Sequence, residues 1–260
     1  LNLLYAKDIS FELHCPEKLF SLFRDWFNAP WLKVKVQNLE KDQNDHRPHL
    51  PLMSLPALFK SNLVNLPSSL PYLHSPCETP THLQVEDPPG GLSIGLVWAA
   101  NPSNAQMYKH KSLPLEILMP KFLDLLSLDL IDLHCLQVGE DAFQLSPWLD
   151  HPRIFDWSNF LNDFADTAHV VKQLDLVISV DTAVAHLSGA LNRPTWLLLP
   201  RNPDFRWLLD TEESPWYPSC MRLFRQNTQG DWLGVLDQLQ KALDRLFLLD
   251  LTELASAKLQ

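Results

Sequence analysis

Asp181, Thr182 and His186 stand together in the run DTAVAH, directly after the apolar run DLVISV that ends at Val180. If the apolar run is a strand and the next residues open a helix, Asp181 closes the strand and Thr182 begins the helix. Thr182 and His186 are four apart and share one helical face. The first N–H groups of a helix lack intrahelical partners and sit at its positive dipole end, so they stabilise an oxyanion. Thr182 would add a hydroxyl donor, and His186 a ring N–H, to a phosphate or a sugar. The same residues also suit a plain structural role, as an Asp/Thr N-cap and a buried imidazole satisfied by a backbone carbonyl.

Two further clusters could face that site. One is the polar run after a strand at Ser93–Trp98, holding Asn101, Ser103, Asn104, Lys109, Lys111 and Ser112. A cation there would approach a phosphate from across the sheet, although a solvated loop with surface lysines has the same composition. The other is the aromatic and basic stretch Pro200–Trp207, followed by Ser214-Pro215-Trp216-Tyr217-Pro218 and Arg222–Arg225. Its Trp and Arg side chains could stack on a base or sugar and pair with phosphate, or the tryptophans could simply pack.

The elements that must position these residues alternate strand and helix. Beyond Gly91 the strands expected are Ser93–Trp98, Ile131–Gln137, Arg153–Trp157, Asp175–Val180, Thr195–Leu199 and Met221–Arg225. DLVISV and TWLLL are continuous apolar runs, as in parallel strands covered on both faces. Helices are expected at Leu115–Leu126 with a break at Pro120, at Asp166–Leu174, at Thr182–Leu191, and at Trp232–Phe247 with Asp231 as its cap. Ala100–Ser112 reads as a long polar loop. This alternation predicts a doubly wound α/β sheet, with ligands outside the carboxyl ends of the strands.

Upstream, Leu1–Ala6 reads as a helix tail, Ile9–His14 as a short strand and Lys33–Val36 as a half-exposed strand. Between them Pro16 opens an amphipathic helix with Leu19, Phe20, Leu22, Phe23 and Phe27 on its apolar side. Lys41–His49 is polar, and Leu52–Lys60 is a short apolar segment. Pro67, Pro71, Pro76, Pro80, Pro88 and Pro89 then form a stiff connector ending in Gly90-Gly91. Two units are therefore expected: residues 1–90, a partial N-terminal lobe plus connector, and residues 91–260, a ligand-binding lobe with a closing helix.

Composition narrows the function. The 260 residues hold 21 Pro, 9 Trp and only 7 Gly, and every glycine lies at or after Gly90, which excludes a Gly-rich phosphate loop before it. With 21 Lys+Arg against 31 Asp+Glu the net charge of −10 disfavours nucleic acid and anionic lipid. Apolar runs are too short for a membrane span, and a cytoplasmic location is expected. Cys15, Cys77, Cys135 and Cys220 are widely spaced, as for reduced cysteines, and the ten dispersed His suggest no metal site.

Taken together, the clusters resemble heptosyltransferase-like glycosyltransferases of family 9, of the kind found fused to tetratricopeptide repeats. The resemblance rests on the Asp-Thr-x-x-x-His signature at Asp181–His186, Arg193-Pro194 before a strand, Asp204-Phe205-Arg206-Trp207 and the Ser-Pro-Trp-Tyr-Pro run. Gly95–Ala99 with Asn101-Pro102 and Lys111-Ser112, Asn162–Thr167, and the Pro51–Pro56 segment also fit. It implies a GT-B architecture of two Rossmann-like lobes, the N-terminal one incomplete. It also implies that Asp181, Thr182 and His186 contact the diphosphate and sugar of a nucleotide-sugar, that Lys111 pairs with the diphosphate, and that Trp98 and Asn101 line the cleft. Asp163 and Phe164, at the start of the Asp163–Thr167 region, would border the nucleoside, and Arg206 would join the donor site. No cofactor or metal is implied, because helix dipole and cations stabilise the leaving diphosphate.

One part of the pattern has no counterpart. Such lobes open with a strand and a Gly-Leu-Gly-Asp-type loop near the acceptor, and Leu1–Ala6 aligns with the helix after it. A general base is therefore unassigned; Glu12, Asp42 and Asp45 are acids that nothing singles out. The expectation is a glycosyltransferase-type chain, in truncated form, taking a nucleotide-sugar donor and a glycan, lipid-linked or protein acceptor, with an upstream repeat domain as a further candidate partner. The alternative is a non-catalytic nucleotide-sugar-binding or interaction module.

Overall fold

The computed structural model describes residues 11–26, 32–36, 48–66, 69–74, 78–86 and 91–257, without the side chains of residues 32 and 249–257. The expected helix tail at 1–6, Phe27, Asp42, Asp45, Cys77 and the glycine at 90 lie outside these residues.

The centre is a six-stranded parallel sheet of β3 (Leu92–Val97), β4 (Ile131–Cys135), β5 (Ile154–Asp156), β6 (Leu176–Val180), β7 (Thr195–Leu199) and β8 (Met221–Arg225). Its spatial order is β5-β4-β3-β6-β7-β8. The chain thus builds outward from β3 in one direction, then returns to β3's other edge and builds outward again. That is the doubly wound arrangement, with its topological switch point between β3 and β6.

Strand alternation divides the core between two faces. Ile94, Leu96, Ile178, Val180 and Leu198 join a cluster with Leu115, Leu118, Met119 and Phe122, and with Val235, Leu236 and Leu239. Those partners come from α4 (Leu115–Leu118), a 3-10 turn at Met119–Lys121 that holds Pro120, and the closing helix α8 (Trp232–Ala257). α5 (Leu123–Ser127) completes this broken helix. Val97 and Val177 face the opposite way, toward α6 (Phe164–Val171) and α7 (Ala183–Ala190). Gly95 makes room for its neighbours: a Cβ there would meet the Leu174 side chain at 2.6 Å. Asp231 caps α8 as expected, accepting from Gly234 N–H at 2.9 Å.

The N-terminal unit is a β-α-β: β1 (Phe11–Cys15) pairs in parallel with β2 (Leu32–Val36) across α1 (Glu17–Ser21), which opens after Pro16. A π turn at Leu22–Trp26 continues α1 and brings Leu22 and Trp26, rather than Phe20 and Phe23, to the fully buried positions. Trp26 packs with Leu73, Leu83 and Ala168 against the α6 side of the sheet. Of the proline-dense stretch, residues 78–86 hold a 3-10 turn at Thr81–Leu83 and are docked: Gln173 accepts from Val85 N–H at 3.0 Å and donates to Leu83 O at 2.8 Å.

Two expectations need correction. Ala100–Ser112 is not wholly loop, because α3 (Ala105–Lys111) forms within it, capped by Asn104, whose side chain accepts from Met107 N–H. No residue of α3 is buried, so its sequence carries no apolar stripe to betray it. The next helix begins at Phe164 rather than Asp166, because Asp163 caps it by accepting from Ala165 and Asp166 N–H. A 3-10 segment at Glu140–Trp148 fills a stretch for which the sequence offered no pattern.

One core residue makes the fold acid-sensitive. His134 of β4 is buried, stacks on Phe155 and accepts from Trp157 Nε1 at 3.1 Å through Nδ1. Burial pushes its imidazole from 6.5 down to about 4. Between those values the unfolded chain binds the proton and the folded chain does not, so stability falls as the pH falls through that interval. The contribution is about 3 kcal/mol. His134→Gln keeps an acceptor for Trp157, and urea unfolding at pH 7 and 4.5 should show a shallower acid loss than wild type; an equal loss would refute the assignment.

Candidate functional site

The carboxyl ends of β3, β4 and β6 open into a cleft of about 860 Å³ at the switch point. Its β3 side is the stretch Ala99–Asn104, with Lys111 from α3. Its β4 side is Leu136–Gly139, and its β6 side is Asp181–Val184 with His186. Asp163, Phe164 and Thr167 close it from α6, while Arg206 and Lys18 reach in at the rim.

Sequence-distant contacts shape this rim. Gln137 Oε1 accepts from Trp98 N–H and Ala99 N–H, at 3.2 and 2.9 Å, tying the end of β3 to the end of β4. Ser112 Oγ accepts from Ala100 N–H at 2.9 Å. α3 is fastened from outside by Tyr108, whose hydroxyl donates to Asp141 at 2.6 Å and is pushed up to about 12 by that carboxylate. Lys18 Nζ donates to Asn162 O at 2.6 Å. These anchors set the position from which Lys111 acts.

Three helices begin at residues that line the cleft, and the start of α3 is capped by Asn104. The first N–H groups of α6 are spent on Asp163. Those of α7 have no side-chain cap: Thr182 sits at the N-cap, but its hydroxyl lies 3.1 Å from Ser179 Oγ instead. The α7 end is therefore the one whose donors and dipole can receive an anion.

Around it stand the charges. Lys111 Nζ is 2.6 Å from Asp181 Oδ2, with side chains 15% and 3% exposed. Arg206 Nε is 3.1 Å from Asp204 Oδ1. His186 stacks on Trp207, with centroids 4.9 Å apart and an interplanar angle of 24°, and its Nδ1 lies 2.9 Å from the Tyr217 hydroxyl. Burial pushes its imidazole below the ordinary value; Asp181 and Asp204 pull it back up, while Arg206 and Lys111 oppose them. Burial wins, and the ring is neutral near pH 7.

The structure brings Asp181, Thr182, His186, Lys111, Asn101, Asp163, Phe164 and Arg206 to this one cleft. Trp98 is the exception. It shares the parity of Ile94 and Leu96, so its ring enters the core, 0% exposed, while Val97 and Ala99 reach the cleft. Glu12 is not at the cleft, and pairs with Lys35 at 2.9 Å. Gln137 and Lys18 carried no signal as site residues, and Tyr217 carried one only within the Ser214–Pro218 run, because their roles depend on partners far along the chain. Among the described residues no group of three His, Cys, Asp or Glu could hold a metal ion, and no helix is long and apolar enough to cross a membrane. Cys15, Cys135 and Cys220 are free thiols.

No protein-family model matches the chain, and no curated protein does. Among solved structures it is similar to E. coli heptosyltransferase WaaC with ADP, at a TM-score of 0.43 and 16% identity, covering 74% of this chain and 48% of that one. It is also similar to E. coli ADP-heptose lps heptosyltransferase II, at 0.43 and 16%, covering 62% and 48%. WaaC with ADP-2-deoxy-2-fluoro heptose gives 0.41 and 17%, covering 62% and 44%. The chain spans about half the length of these proteins.

Proposed function

We propose that this chain binds a nucleotide-sugar in the switch-point cleft and is of glycosyltransferase type, with a GT-B-like architecture. The observation that carries the reading is the uncapped start of α7, opening into that cleft beside Lys111. A diphosphate over this helix end would receive backbone N–H groups, the Thr182 hydroxyl and a ring N–H from His186. Lys111 would turn from Asp181 to the phosphate. Asp181 cannot accept a hydrogen bond from a deprotonated phosphate, so it would accept from sugar hydroxyls. The apolar floor of Val97, Leu136 and Leu161, with Phe164 at its edge, suits the flat face of a nucleoside.

In transfer, charge develops on the leaving diphosphate. Helix dipole and cations already aimed at that position lower its energy without rearranging, which removes the need for a metal. The group that deprotonates the acceptor is unassigned. One observation favours a second reading, binding without transfer: the two carboxylates that line the cleft are both engaged, Asp181 with Lys111 and Asp163 as the α6 cap.

The test is calorimetric titration with ADP-, UDP- and GDP-sugars, using wild type and the Asp181→Ala/His186→Ala double variant. Wild type should bind one nucleotide class, and the double variant should bind it at least about tenfold more weakly. Absence of binding at millimolar concentration, or an unchanged double variant, would sink the assignment. Release of nucleoside diphosphate on adding glycan acceptors separates transfer from binding alone.

A further inference from the structure

The back of His186 is as ordered as its front. Its Nδ1 is 2.9 Å from the Tyr217 hydroxyl, which is 3.4 Å from the hydroxyl of Tyr72. Tyr217 is buried and lies flat against α7 at Gly189, where a Cβ would come within 2.5 Å of the phenol ring. Only the lack of a side chain at 189 lets the ring sit so close, and that closeness delivers the hydroxyl to the imidazole. Trp207 fixes the plane of the imidazole from its face. Tyr72 is held in turn by its own backbone: Tyr72 N–H and Leu73 N–H both donate to Ala190 O, at 3.1 and 3.3 Å.

We infer that Tyr217 is a positioning residue for His186: its hydroxyl donates to Nδ1, which places the imidazole proton on Nε2 and makes that atom a fixed donor into the cleft. Tyr72 donates to the Tyr217 oxygen behind it. The direction follows from counting protons. A neutral imidazole has one donor and one acceptor nitrogen. With Tyr217 donating across the shorter contact and Tyr72 across the longer, each phenol proton has an acceptor. The reverse order would have Tyr217 donate across the longer 3.4 Å contact to Tyr72 and would leave the Tyr72 proton to solvent, to which that residue is 37% exposed. Burial raises both phenols above their ordinary value, so neither loses its proton near neutrality.

The identity of the ligand rests on the nucleotide-binding reading, but the tautomer does not. The experiment is a long-range proton–nitrogen correlation on the ligand-free, full chain with 15N-labelled histidine. Wild type should show His186 protonated at Nε2 and bare at Nδ1. Tyr217→Phe keeps the ring under α7 and should give a mixture of tautomers. The same variant should bind inorganic pyrophosphate about tenfold more weakly, and Tyr72→Phe less than about threefold more weakly. A wild-type His186 protonated at Nδ1, or a tautomer unchanged in Tyr217→Phe, overturns the inference. The wild-type spectrum decides even if a variant fails to fold. A correct tautomer with no nucleotide bound would refute the proposed ligand and leave the role of Tyr217 standing.

Discussion

Lys111→Ala should lose about 3 kcal/mol of unfolding free energy and bind nucleoside diphosphate roughly a hundredfold more weakly. Both losses come from one contact. The Asp181 carboxylate is 3% exposed and has Lys111 Nζ at 2.6 Å. Removing the lysine leaves a buried charge without compensation, which costs about 3–5 kcal/mol when the site is fully closed. Lys111 is 15% exposed, so some water reaches the pair and the lower figure applies. The partners are not equivalent. Asp181→Asn leaves a lysine that can swing into the cleft, so stability should barely change and free diphosphate should bind at least as tightly as in wild type. The nucleotide-sugar should lose affinity in that variant if the carboxylate accepts from the sugar. Lys111→Met/Asp181→Asn should recover most of the stability and none of the anion binding. Urea unfolding and calorimetry on the four proteins read these outcomes. If the double variant is as unstable as Lys111→Ala, the buried charge is not the cause.

Trp207→Ala should cost about 3–5 kcal/mol, against less than about 0.5 kcal/mol for Phe205→Ala two residues away. Trp207 is 0% exposed, supports the His186 ring on its face and packs near Tyr217. Phe205 is 70% exposed. Loss of Trp207 should also free the imidazole, so histidine NMR on that variant, if folded, should show His186 titrating nearer its ordinary value. Equal effects from both substitutions would mean that Trp207 does not support the site.

This contrast marks the limit of what the chain declares before it folds. DLVISV and TWLLL are legible as strands because burial on both faces demands an unbroken apolar run, and both form parallel strands of the sheet. The Asp181–His186 signature is legible because a strand end and a helical spacing meet within six residues. Phe205 and Trp207 are both aromatic residues in a basic stretch, and nothing local says which one turns inward. α3 escaped notice for the opposite reason: it buries no residue, and it holds its place through the Asn104 cap and the Tyr108–Asp141 contact. Trp98 shows how a correct strand can carry a wrong side-chain assignment. A shift of one position along β3 exchanges the cleft for the core, and parity is fixed only by the neighbouring strands. Gln137 could not be found at all, and Tyr217 was legible only within the Ser214–Pro218 run, since each matters through a partner more than thirty positions away.

α7 spans only Ala183–Ala190, yet both its ends are engaged by different parts of the molecule. Its start faces the cleft, and its last carbonyl receives two N–H groups from the segment that carries Tyr72. A short rigid rod of this kind transmits what happens at one end to the other. If a ligand at the start sharpens the position of the helix, it sharpens the grip of residues 69–74 as well. Thermodynamic reciprocity then requires the converse: whatever strengthens that grip strengthens ligand binding by the same factor. Residues 69–74, which do not line the cleft, would then be coupled to it through α7.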